Sequence, residues 1–130
     1  MRDLIADLII KIKNANMAGH ETVTLPYSKI GSAVLEVLEK EGYVQGLNKK
    51  GKKITKSIEV GLVYEDGKKP RITGVERVSK FSKRVYQKAK EIRSVRSNFG
   101  MLVLTTPKGI LTDKEARKEK VGGEALFKIW

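Results

Sequence analysis

TTPKGILTDKEARKEKVGGE, residues 105–124, sets two hydroxyls, a proline, a lysine and a glycine just ahead of a self-capped helix. Thr112-Asp113-Lys114-Glu115 fits the capping box, in which the threonine hydroxyl accepts from the third amide and the glutamate reaches back to the cap amide. Asp113 and Glu115 also offset the positive end of the helix dipole, which disfavours a nucleotide phosphate there. The Walker spacing G-x-x-x-x-G-K-[ST] is absent. The groups left to touch something polar are the Thr105 and Thr106 hydroxyls, the Lys108 ammonium and the loop backbone. Pro107 fixes one φ, and Gly109 permits a turn that other residues resist. Gly122-Gly123 reads as the helix end, and Glu124 after it is a hydrogen-bond acceptor. Upstream, Met101 to Thr106 is an apolar strand. Downstream, Ala125 to Trp130 alternates as a closing strand, with Trp130 as a core plug.

The first half follows a different pattern. Asp3 can cap a helix with a buried stripe of Leu4, Ile5, Leu8, Ile9 and Ile12, ending near Gly19 and leaving Arg2, Lys11, Lys13, Asn14 and Asn16 exposed. A short strand at Thr22 to Leu25 follows, and a helix after Ser28 carries Ile30, Val34, Leu35, Val37 and Leu38 and stops at Gly42. Tyr43 to Leu47 reads as a strand, Asn48 to Lys53 as a basic hairpin tip, and the next strand turns Ile58, Val60, Leu62 and Tyr64 to one side. This is an αβαββ order. Asp66-Gly67-Lys68-Lys69-Pro70 combines turn signals with a change of charge balance and places a subdomain boundary, giving residues 1–66 and 71–130. Beyond it, Ile72 to Val78 is strand-like and Ser79 to Lys90 is basic and poorly periodic. The fold class is therefore α+β, with a mainly β second half that holds one short helix.

Composition narrows the function. The 130 residues have no cysteine and a single histidine, His20, which excludes disulfides, thiolate metal sites and a histidine relay within one copy. No cofactor or metal is expected. No apolar run approaches the roughly eighteen residues that span a bilayer, and the start of the chain lacks the basic region of a signal peptide, so a cytoplasmic protein is expected. Lys and Arg number 27 against 15 Asp and Glu, a formal charge of +12, which makes a polyanion the leading partner. The excess sits in the second half: residues 1–69 carry 12 basic and 9 acidic side chains, residues 70–130 carry 15 and 6. Eight basic residues run from Arg77 to Arg96, Lys83, Arg84 and Lys88 among them, opposed only by Glu91.

Small hydroxyl side chains beside such a stretch suit a shallow RNA minor groove or an unstacked base. Motifs of duplex DNA readers are missing. Tyr86, within Arg84-Val85-Tyr86-Gln87-Lys88, could stack on a base or lie half-buried at a strand edge; the sequence leaves both open.

These residues resemble the family of bacterial small-ribosomal-subunit protein number eight, over essentially the whole chain. Its pattern of a hydroxyl pair, two variable residues, glycine, two aliphatics, a hydroxyl, an acid, then A-A-R or E-A-R and Gly-Gly-Glu is matched by TTPKGILTDKEARKEKVGGE, with support from DLIADLIIKIKNA and from Arg84-x-Tyr86. The resemblance implies two tightly associated α+β subdomains. It also implies a primary ribosomal-RNA-binding protein that recognises an irregular helix in the central domain of the small-subunit RNA and helps subunit assembly. Carried over, it assigns the contact with an unpaired adenosine to Thr105, Thr106, Lys108 and Gly109 and puts Tyr86 and Glu124 near the RNA. Partners would be that RNA, neighbouring ribosomal proteins and, in some bacteria, the messenger of its own operon. The chain would be monomeric outside the ribosome. Departures are Thr105 where serine is usual, Pro107 at a variable site, Phe81-Ser82 where proline-glycine is common, and Ser97 before Asn98-Phe99-Gly100.

The expected function is thus binding, with residues 71–130 as the main RNA surface, residues 1–66 as scaffold, and no catalysis. Two alternatives stand beside it: a nonspecific nucleic-acid-binding protein, and an RNA-processing enzyme using Asp113, Glu115 and Glu124.

Overall fold

The computed structural model describes residues 3–51, 56–80, 82–93 and 100–130. Arg2, Lys52, Lys53 and Arg96 lie outside the described residues, as do Phe81 and the stretch around Asn98. The protein is α+β, and it divides into two compact units, Leu4–Thr73 and Gly74–Trp130, the second including Asp3.

In the Leu4–Thr73 unit, helix α1 (Leu4–Met17) buries Ile5, Leu8, Ile9 and Ile12. Leu4, expected in that stripe, is 50% exposed, because it sits one step outside the row that runs through residues 5, 9, 12 and 16. Asn16, expected on the wet face, completes that row and is fully buried. Burial is tolerated because both ends of its carboxamide are used. Nδ2 donates to the Val63 carbonyl and Oδ1 accepts from the Ile72 amide, each at 3.1 Å. Strand β1 (Thr22–Pro26) leads to helix α2 (Lys29–Lys40), whose first turn is capped by Ser28 Oγ accepting from the Gly31 amide at 3.0 Å.

Strands β2 (Val44–Lys50) and β3 (Ser57–Leu62) complete an antiparallel sheet of order β1-β3-β2, with Ile58, Val60 and Leu62 buried on the central strand. The basic segment belongs to the ladder further than expected: Asn48, Lys49 and Lys50 pair with Glu59, Ile58 and Ser57. Tyr64 leaves that ladder for a small hairpin, β4 (Tyr64–Glu65) with β5 (Lys69–Pro70). Its turn uses left-handed backbone at Asp66 and Gly67.

The Gly74–Trp130 unit contains β6 (Val75–Arg77), β7 (Tyr86–Gln87), a 3-10 turn (Ala89–Glu91), β8 (Met101–Thr106), β9 (Gly109–Thr112), α3 (Asp113–Glu119) and β10 (Gly123–Ile129). The sheet runs β6-β10-β8-β9, and β7 also pairs with β10. Leu102, Leu104, Ala116, Ala125 and Ile92 form its apolar centre, with Val85, Leu111 and Val121 around them. Only Val75–Arg77 of the expected Ile72 to Val78 strand is in a ladder. Strand β9 lies where the sequence suggested loop. A bulge at Leu126 interrupts the ladder, and Ala125, Leu126 and Phe127 are all buried, as are Met101 to Leu104 opposite them, because both faces of the sheet are covered here. Trp130 is half-buried rather than a core plug. Its backbone pairs with Gly74, and its indole lies so close that a Cβ on Gly74 would meet Cζ2 at 2.6 Å.

Candidate nucleic-acid interface

The hydroxyl loop is the tight end of the β8–β9 hairpin. Thr105 pairs with Ile110 and Thr106 with Gly109, so Pro107 and Lys108 alone form the turn, and Gly109 takes the positive φ of 105°. The two hydroxyls then part company. Thr106 Oγ1 donates to the Gly109 carbonyl (2.9 Å) and accepts from the Lys108 amide (3.1 Å), so it serves the turn. Thr105 Oγ1 has no hydrogen-bond partner among the described residues. Lys108 extends from the turn with its ammonium 3.7 Å from Glu119, an exposed pair worth little.

Three strands carry the predicted residues into one row. On β10, Glu124 is opposite Tyr86 of β7 on one side and opposite Thr105 of β8 on the other. Directly paired residues share a face of the sheet, so a phenol, a carboxylate and a hydroxyl stand abreast. They border an open cleft of about 700 Å³, together with Lys88, Thr106 and Lys120. Of the two roles open to Tyr86, the structure gives it the exposed one: the side chain is 68% exposed at the strand edge. Arg84 reaches over the row and donates to both oxygens of Glu124, at 3.2 and 3.4 Å. Lys83 and Gly109 are exposed but do not border the cleft.

The gap between strands is set by backbone. A Cβ on Gly123 would lie 2.1 Å from the Thr105 carbonyl oxygen, and one on Gly122 would lie 2.3 Å from that of Gln87. The glycine pair therefore does not end the helix, as the sequence suggested; it lets β10 slide between its neighbours. The helix ends instead at Lys120, which adopts the left-handed conformation, φ 57° and ψ 41°.

The loop that carries Lys83 and Arg84 is pinned by Ser79. Its buried Oγ accepts from the Val85 amide at 2.8 Å and donates to the Val85 carbonyl at 3.3 Å, while Lys80 and Lys83 exchange backbone hydrogen bonds. Two charges of the basic stretch have structural duties. Arg77 donates to both carboxylate oxygens of Asp3, at 3.0 and 3.3 Å, and to the Leu126 carbonyl. Glu91 accepts from the Lys88 amide at 2.9 Å, capping the 3-10 turn.

The capping box at Thr112 and Glu115 forms as expected, at 3.1 and 3.2 Å. Asp113 is buried, accepting from the Leu102 amide (3.2 Å) and from Arg117 (3.3 Å). These acids hold backbone and arginine, which accounts for them without chemistry on a substrate.

Sequence reading missed Gln87 and Lys120. Gln87 borders the cleft, and its side-chain oxygen is buried with no hydrogen-bond partner among the described residues, an arrangement that costs about 1–3 kcal/mol. No local signal marks it, since its environment comes from β10 pairing. Lys120 carried one signal, its place at the end of a capped helix just before Val121-Gly122.

Fold and cleft together define a class, basic α+β proteins with a cation-rimmed concave end of the kind that receives a polyanion. The model of the ribosomal protein S8 family matches residues 3–130, and the chain belongs to that family, whose members are structural, RNA-binding components of the small ribosomal subunit rather than enzymes. Among relatives named small ribosomal subunit protein uS8, that of Mycoplasmopsis synoviae is 45% identical, covering 100% of this chain and 98% of its own. That of Persephonella marina is 46% identical with 98% of each chain covered, and that of Paenarthrobacter aurescens 38% identical with 100% and 98% covered.

Proposed function

We propose that the cleft binds an irregular helix in the central domain of small-subunit ribosomal RNA, receiving an unpaired base, and that this contact helps the subunit assemble. The observation that carries the reading is the row Tyr86, Glu124, Thr105 at the edge of a 700 Å³ cleft. An exposed ring offers a stacking face. The free Thr105 hydroxyl offers a donor and an acceptor to a base edge or a 2′-hydroxyl. Lys83, Arg84 and Lys88 flank them with positive charge for the sugar-phosphate chain. Thr106, Lys108 and Gly109 act by holding the turn that presents Thr105.

On this reading the segment 71–130 supplies the RNA surface, and 1–66 supplies scaffold and contacts to neighbouring ribosomal proteins. The same cleft would accept a messenger element of similar shape from the protein's own operon, and the chain would work in the cytoplasm as part of the ribosome.

The test compares an RNA hairpin interrupted by an internal loop containing an unpaired adenosine with a fully paired hairpin of equal length. Wild type is expected to prefer the first, and Thr105→Ala to lose roughly tenfold of that preference, equivalent to one hydrogen bond to a base or sugar, with its salt dependence unchanged. Equal affinity of wild type for both hairpins would make this a nonspecific nucleic-acid binder instead.

A further inference from the structure

We propose that Lys120 is a phosphate contact for the RNA seated in the cleft, a role that rests on the reading given above. Lys120 ends α3 at φ 57° and ψ 41°, where the Cβ of an L-residue crowds the following carbonyl and where glycine or asparagine is the usual occupant. The helix end makes no demand for a lysine. The cap is built from backbone: the Lys120 amide donates to the Arg117 carbonyl at 3.2 Å and the Val121 amide to the Ala116 carbonyl at 3.1 Å. Glycine would make both bonds without strain.

A residue held in a disfavoured conformation at a binding cleft points to work done by its side chain. That side chain is exposed and borders the same cleft as Tyr86 and Thr105. Its ammonium has no carboxylate partner among the described residues, whereas Lys108 is drawn to Glu119 and Arg84 to Glu124. An ammonium on a flexible stem suits a phosphate oxygen as a point charge. Lys120 thereby adds a cation from the α3 side of the cleft to that of Lys88 beside β7.

The experiment takes full-length Lys120→Gly, Lys120→Arg and Lys114→Ala proteins, titrates each with the interrupted and the paired hairpin over a salt series, and unfolds each in urea. Lys120→Gly is expected to raise the folding equilibrium constant roughly two- to fivefold, the left-handed penalty less the extra chain entropy of glycine. Its RNA binding weakens, and the slope of log affinity against log salt falls by about 0.7 to 0.9. Lys120→Arg keeps the slope. Lys114→Ala, the same loss of charge on the same helix away from the cleft, keeps it too. Wild-type affinity and slope in Lys120→Gly would overturn the proposal, as would an equal loss in Lys114→Ala. The two failures are distinguishable: a wild type indifferent to the internal loop refutes the reading of the cleft, while the slopes still decide whether Lys120 meets phosphate.

Discussion

The two units differ in what their folding leaves over, although both satisfy buried polar groups, Asn16 in one and Ser79, Thr112 and Asp113 in the other. In Leu4–Thr73 the fully buried Asn16 satisfies two backbone groups and is itself satisfied. In Gly74–Trp130 the sheet leaves two side-chain oxygens unbonded among the described residues, that of Gln87 buried and that of Thr105 beside a cleft, in the half of the chain with the surplus of cations. Each arrangement has a thermodynamic meaning. A polar group consumed by folding contributes to stability, a buried one left over costs it, and one left over at the surface, such as the Thr105 hydroxyl, is available to a partner. The proposed function makes the first unit the scaffold and the second the reader.

This contrast can be broken experimentally. The largest effect is expected from Gly123→Ala, whose new methyl would collide with the Thr105 carbonyl. Loss of about 3 kcal/mol in urea unfolding is expected, and an unaltered midpoint would mean the strands are not held at this spacing. Next comes Asn16→Ala, which strands the Val63 carbonyl and the Ile72 amide. It should cost about 2 kcal/mol yet leave the preference for an interrupted RNA helix intact; a lost preference would deny the division between scaffold and reader.

Lys83→Ala should barely alter folding, but should lower affinity for every RNA and reduce the salt slope by about 0.7 to 0.9. Lys83 is a cleaner probe than Arg84, whose removal would also release Glu124. The smallest effect belongs to Lys50→Ala in the first unit, which breaks an exposed 3.2 Å pair with Glu59. Less than about 0.5 kcal/mol should be lost, with no change in salt slope, and a marked change would extend the RNA surface to this unit.

Much of this was legible in the chain. The order αβαββ, strand β8, the capping box and Gly109 all follow from short-range rules, since periodicity and capping act within a few residues. What escaped depends on distant partners. Asn16 is polar on a helix, and only Val63 and Ile72, far along the chain, make its burial favourable. Gly122-Gly123 has the composition of a helix stop, and only the carbonyls of Gln87 and Thr105 reveal the closer reason for it. Of the residues named from the sequence, Tyr86, Lys88, Thr105, Thr106 and Glu124 border one cleft, and Lys83, Arg84, Lys108 and Gly109 do not. Their division of labour was not visible, because which threonine keeps its hydroxyl free is decided by a turn geometry that both residues fit equally well on paper.

The bulge at Leu126 has a bearing on that choice. Pairing Phe127 with Val103 and continuing without an extra residue would bring Glu124 opposite Thr106; the inserted residue advances the register so that Glu124 meets Thr105 instead. One surplus amino acid thus works as a phase shifter, setting the carboxylate beside the uncommitted hydroxyl and away from the one already occupied. Flattening the bulge, with Leu126 taken into the ladder, would keep every chemical group in the chain and still set Glu124 against Thr106.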